Sequence, residues 1–256
     1  MVGYENHPVY VNQRLKLQRT FSGKSEQIEK QIRQFQQEVA PPKSPTKQWE
    51  KDVIAEDKLV QIISNWASFD ILQYQDKPAS AGMSMIHLLA IPRDPIVNGV
   101  YLTNENVDII DDMINLFEEA WKERKNRQKI LDLQREAIER RFERTQGESF
   151  AEQAHQAALE HHAWLESNID QLDSKDFYYG LHLRPDNSAD YLHLHIIAAP
   201  YEYRKYSTSE HDIKTKDAIE VRDFIKRDAQ QSPRANSSRS SSISEEASMR
   251  SAVTAT

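Results

Sequence analysis

Asp190-Tyr191-Leu192-His193-Leu194-His195-Ile196-Ile197-Ala198-Ala199-Pro200 alternates with a period of two, which predicts a β-strand over 190–199. On such a strand Tyr191, His193 and His195 point to one face, and Leu192, Leu194 and Ile196 point to the other. The leucine face marks the core. Two imidazoles on a strand this apolar need partners, because burying a polar group without a hydrogen bond is costly. Taken alone, the strand fits two histidines on a half-exposed face as well as it fits a functional pair.

Working outward, residues 184–189 read as a polar loop and residues 177–183 as a preceding strand. Further upstream, 69–75 and 85–91 are apolar and rich in strand formers, with a turn-like segment from Asp76 to Gly82 between them. Pro92-Arg93-Asp94-Pro95 ends the second of these strands. A helix is predicted from Thr103 or Asn104, with Val107, Ile110, Met113, Ile114, Phe117 and Trp121 along one face. Past Trp121 the apolar pattern thins, and the spacing predicts a long helix leaving the core. Its mixed charge reads as a solvated face ahead of a polyanion-binding one. Gly147 breaks the pattern, and Ser149-Phe150-Ala151-Glu152 fits a capping box for a helix running to about Leu172. These two helices form an expected hairpin insertion over about 122–175. His155, His161 and His162 on it read as surface histidines, since neighbours on a helix cannot point the same way.

The ends are expected to be helical. Ile28, Ile32, Phe35 and Val39 recur at helical spacing before Pro41-Pro42, and residues 43–47 read as a linker. A second helix is predicted over 49–65 from Trp49, Val53, Ile54, Leu59, Val60, Ile62 and Ile63. Ala218, Val221, Phe224 and Ile225 mark a short amphipathic helix near the other end. From about residue 229 the composition shifts to Ser, Arg, Gln and Ala, with five serines in 237–242, which predicts a disordered tail. Its Arg-Ser-Ser-Ser run is a weak phosphorylation pattern. The expected organisation is an N-terminal helical extension (1–65), a core domain (66–228) and the tail (229–256).

Composition bounds the function. The 256 residues are 29% charged and 38% hydrophobic, and mean hydropathy is -0.76, which is polar for a chain with one core and no extensions. A net charge of -7 argues against a broad electrostatic grip on nucleic acid. The chain has no cysteine, which removes disulfides, thiolate zinc sites and cysteine nucleophiles together. No apolar run approaches a membrane span, so a soluble intracellular protein, cytoplasmic or nuclear, is expected.

His193-Leu194-His195-Ile196-Ile197, preceded by Tyr191-Leu192, resembles the histidine triad (HIT) motif, in which three histidines alternate with apolar residues. Ile86-His87-Leu88-Leu89-Ala90-Ile91-Pro92-Arg93 is similar to the family's earlier strand. Asp76-Lys77, Gly180-Leu181-His182 and Asn187-Ser188 resemble segments of the Hint/aprataxin-like branch. The similar segments cover about 66–121 and 176–203. The resemblance implies an α+β fold: a HIT-like antiparallel sheet with a packed helix, here with the helical hairpin inserted and terminal helical extensions. It implies an enzyme, a nucleotide hydrolase or transferase acting at the α-phosphate of a nucleoside phosphoramidate or adenylate through a nucleotidyl-histidine intermediate. His193 would be the nucleophile, His195 the donor to phosphate oxygens, His87 a supporting partner, and Ser188 a contact to the phosphate or leaving group. Asp76, Lys77, Asn187, His182 and Tyr191 would bind an AMP-type purine nucleotide.

The resemblance implies no metal and no cofactor. Tyr191 stands where the family carries its first histidine, and the backbone carbonyl there is the part that fixes the nucleophile's tautomer. DNA deadenylation is disfavoured by the acidic balance and the lack of cysteine. An alternative is a weak or inactive nucleotide-binding or scaffold protein, with the helical insertion as a surface for a homodimer or protein partner. A metal site on His193 and His195 with His182 or His87 is a third reading.

Overall fold

Val53, Ile54, Val60, Ile62 and Ile63 are β-branched, and Asp57 between them closes a turn. Its Oδ1 accepts from the backbone N–H of Leu59 at 2.7 Å and of Val60 at 2.8 Å. The product is an antiparallel hairpin of β1 (Val53–Glu56) and β2 (Val60–Ser64), in place of the helix expected over 49–65. The computed structural model describes residues 25–35, 52–65, 68, 82–94, 96–187, 189, 191–204 and 209–231. The expected strand over 69–75, the linker at 43–47 and residues 232–256 lie outside them.

Four further strands follow: β3 (His87–Pro92), β4 (Phe177–His182), β5 (Leu194–Ala198) and β6 (Thr215–Asp217). Together the six form one sheet in the order β1-β2-β3-β5-β4-β6, antiparallel at every pairing. Helices α1 (Ser25–Phe35), α2 (Ile109–Lys122), α3 (Arg124–Thr145), α4 (Ala151–Asn168), α5 (Ser209–Lys214) and α6 (Ala218–Gln231) make the fold mixed α and β. No helix among the described residues is long and apolar enough to cross a membrane.

The period of two sorts the sheet into two faces. Ile62, Leu88, Ala90, Leu181, Leu194 and Ile196 join one core with Ile110, Met113 and Phe117 of α2. The aromatic rings of Phe117 and Trp121 meet Phe177 edge-on at 4.7 and 4.6 Å. The opposite face carries His87, His182, His193 and His195, bordered by two small apolar clusters. Met83, Ile197 and Ala199 form one, and Ile63, Ile91 and Tyr191 the other.

The long helix expected beyond Trp121 is two helices. Glu123 is extended (φ -84°, ψ 114°), and side chains from α3 satisfy the carbonyls that the break exposes. Asn126 Nδ2 donates to Ala120 O at 2.8 Å, and Arg127 donates to Trp121 O at 2.5 Å. The break turns α3 back onto the fold, so Ile130, Leu131, Leu133 and Ile138 are buried in the main core. The expectation that this helix leaves the core is therefore corrected. Likewise His162 is buried, donating Nε2–H to Leu131 O at 2.8 Å, because α4 packs against α3 along that face. The N-cap of α4 is Phe150 and makes no side-chain cap bond, so the expected capping box does not form. Gly147, with φ +96°, supplies the left-handed turn between α3 and α4.

Candidate active site

β5 enters the ladder only at Leu194, so the strand expected over 190–199 is shortened at its start. Tyr191, Leu192 and His193 stand just before it, held by Leu192 N–H donating to Ile96 O at 2.8 Å. Their side chains still alternate: Leu192 enters the main core while Tyr191 and His193 face the other way. Tyr191 lies outside the ladder, and its carbonyl accepts from a side chain. His193 Nδ1 donates to it at 2.6 Å. A carbonyl only accepts, so the proton sits on Nδ1 and the lone pair of neutral His193 is on Nε2.

The proton order of the next two rings is fixed the same way. The backbone N–H of Met83 points at His87 Nδ1 (3.1 Å), and the Asn65 amide nitrogen reaches the same atom at 3.1 Å. A backbone N–H only donates, so His87 Nδ1 accepts and Nε2 carries the proton. His87 Nε2 then donates to His195 Nδ1 at 2.8 Å. His195, neutral, must carry its own proton on Nε2. That nitrogen is buried and has no hydrogen-bond partner. A backbone amide thus orients two rings in series and leaves one N–H unmatched.

Two more residues buttress His195 from the β4 side. The His182 ring packs on it with centroids 4.0 Å apart, and His182 Nε2 meets Thr215 Oγ1 at 3.0 Å. Thr215 gives its single hydroxyl proton to His211 O at 2.6 Å, so it accepts from His182. Gly180 permits this approach. A Cβ there would collide with Thr215 Cγ2, a buried atom whose side chain is already tied at its hydroxyl. His193 and His195 lie 4.8 Å apart, ring centre to ring centre, with planes at 65°.

Electrostatics keeps all four rings neutral. Burial is the main cause for each, and positive neighbours add to it. His87 is pushed down to about 3, by burial and then by His211, His193, Arg204 and Lys214. His182 falls well below the ordinary histidine value by burial, then by Lys214 and the neighbouring rings, and His195 by burial, then by the neighbouring rings and last by Lys214. His193 is lowered by burial and by Lys214, while the Tyr191 carbonyl pulls the other way. The site is therefore a set of uncharged imidazoles with a lone pair on His193 Nε2 and a buried, unpartnered N–H on His195 Nε2.

Of the residues singled out from sequence, His87, His182, His193 and His195 are brought together. Tyr191 contributes its carbonyl, whereas its ring packs on Ile63 and Ile91 and its hydroxyl donates to Pro92 O. Asn187 bonds Ala189 O within the loop at 3.0 Å. Asp76, Lys77 and Ser188 lie outside the described residues. The structure adds Asn65, Met83, Gly180, His211, Lys214 and Thr215. Met83 acts through its backbone and Gly180 through the side chain it lacks. The other four come from segments read as helical or left unread, so no period marked them. Among the described residues no group of three or more His, Asp or Glu is arranged to hold a metal ion, and the facing nitrogens of His87 and His195 share a proton. No protein-family model matches the chain, and a search of curated proteins finds no match.

Proposed function

We propose that the chain is a histidine triad–type nucleotide hydrolase or transferase acting at the α-phosphate of a nucleoside phosphoramidate or adenylate, with His193 as nucleophile. One observation carries this reading: the His193 Nε2 lone pair beside the unpartnered Nε2–H of His195. Attack on phosphorus needs a neutral nucleophile and a donor for the charge that builds on a non-bridging oxygen. The proton order supplies both without moving any group.

For a phosphoramidate the balance is simple. His193 Nε2 bonds to phosphorus as the P–N bond to the leaving amine breaks, giving a nucleotidyl-imidazole. Water then bonds to phosphorus as the P–Nε2 bond breaks. In the first step the leaving nitrogen takes a proton from solvent and departs as the neutral amine; in the second, water gives its hydroxyl to phosphorus and its proton to solvent, and His193 recovers its lone pair. His195 Nε2–H donates to the phosphoryl oxygen, and His87 holds His195 in the tautomer that allows it. His182 and Thr215 fix the ring from behind.

The test is hydrolysis of adenosine 5′-phosphoramidate by the wild type and by His193→Ala. Turnover that drops by about a thousandfold or more in the variant is expected for loss of a covalent nucleophile. Activity that survives in His193→Ala would overturn the mechanism. Binding of AMP without turnover by the wild type would instead favour the nucleotide-binding alternative.

A further inference from the structure

The hairpin of α3 and α4 gives no side chain to the histidine cluster, yet it sets a polar group in the core. Gln134, on the buried side of α3, is 1% exposed. Its Nε2 donates to Met85 O at 2.7 Å, while its Oε1 is buried and has no hydrogen-bond partner. A carboxamide with one end unmatched costs stability in a core, so packing alone does not account for it. α4 fixes its place. His162 donates Nε2–H to Leu131 O at 2.8 Å, and Leu131 lies three residues before Gln134 on the same side of the helix.

Met85 belongs to the short segment that sets the proton order. Two residues earlier, the Met83 N–H points at His87 Nδ1 (3.1 Å). The Asn65 carboxamide at the same atom carries both a donor and an acceptor, so it suits either tautomer of His87. The Met83 N–H suits only one. The segment is gripped from two sides: Tyr203 O accepts from Met85 N at 2.6 Å and from Ser84 Oγ at 3.1 Å, and Gln134 holds Met85 O. We propose that Gln134 is a positioning residue of the site, acting through Met85 and Met83 on the tautomer of His87, and through His87 on the Nε2–H of His195. Without its donor the Met85 carbonyl shifts toward another partner, and the Met83 N–H moves off His87. A proton on His87 Nδ1 is then tolerated. His87 Nε2 accepts from His195 Nδ1, and His195 Nε2 is left with a lone pair where the phosphoryl oxygen needs a donor. The effect on turnover rests on the nucleotide reading above; the effect on proton order does not.

Imidazole 15N spectra of the full chain, recorded without nucleotide, read the tautomers of His87 and His195, and adenosine 5′-phosphoramidate turnover reads the consequence. Gln134→Met keeps an unbranched side chain and loses the donor, and Gln134→Leu is a second donorless variant. Leu133→Ala loosens the same helix and leaves Gln134 in place. Both Gln134 variants should move the His195 Nε2 signal from the protonated toward the unprotonated position. Their kcat should fall by about tenfold, a partial loss of the donor to the transition state, with KM within about twofold of wild type. Leu133→Ala should lower the thermal midpoint and leave the nitrogen signals where they are. Unshifted His195 nitrogens in a folded Gln134 variant overturn the proposal, as does an equal shift in Leu133→Ala or a shift with kcat unchanged. Loss of folding in both Gln134 variants makes the role structural and overturns it too. If the nitrogens shift but the wild type turns over no phosphoramidate, the nucleotide reading fails and the control of the tautomer by Gln134 stands.

Discussion

Taking the hydroxyl off Tyr191, as Tyr191→Phe does, removes its hydrogen bond to Pro92 O and leaves the backbone carbonyl on His193 untouched. The expected cost is about 1 kcal/mol of stability, seen as a lower thermal midpoint, with phosphoramidate turnover within about threefold of wild type. A hundredfold loss of turnover would mean that the ring reaches substrate and would contradict the division of labour described here. The alternation that places Tyr191 and His193 on one face is written in the sequence, because it depends only on neighbours. That the ring turns onto Ile63 and Ile91 is not, because those side chains arrive from β2 and β3.

Two short elements deliver much of the site and were hard to read. β6 has three residues, Thr215-Lys216-Asp217, with no apolar pattern at all, and it is a strand only because β4 offers it an edge. Gly180 makes that pairing close. Gly180→Ala should force Thr215 off His182, lowering stability by roughly 1–3 kcal/mol by overpacking. Turnover should fall with it, since the His182 ring loses the partner that holds it against His195. Paired measurements of urea unfolding and kcat would show this, and an unchanged kcat would remove the Thr215–His182 contact from the mechanism. The β1–β2 hairpin escaped for a different reason. Val53, Ile54, Val60, Ile62 and Ile63 fit helical and strand spacing alike, and the decision lay in their branched side chains and in the turn that Asp57 closes. Longer elements with one dominant period, α2 and β3–β5 among them, were legible.

At the scale of the molecule, the buried histidines tie stability to acid. Above the unfolded histidine value of 6.5, His87, His182 and His195 are neutral whether the chain is folded or not, and they add no pH dependence. Below it the unfolded chain binds protons that the folded rings refuse, because their values are lowered by burial. Stability should then fall by up to about 1.4 kcal/mol per pH unit for each of the three, with His87 still contributing down to about 3. Urea midpoints measured from pH 7 to pH 5 should drop steeply, and a flat profile would mean that the rings are solvated. The overall layering was foreseeable from the alternating strands and the α2 face, while the return of α3 to the core was not, because it hinges on the break at Glu123 and on the caps from Asn126 and Arg127. The strand order has one more consequence. β3 and β5 are neighbours, yet His87 and His195 are 108 residues apart. At synthesis rates of about 5–20 residues per second, β5 leaves the ribosome roughly 5–20 seconds after β3. During that interval the nascent sheet ends at β3 with a row of unpaired amides and carbonyls, the kind of edge that recruits strands from other chains. The helices encoded between them fold locally and far faster.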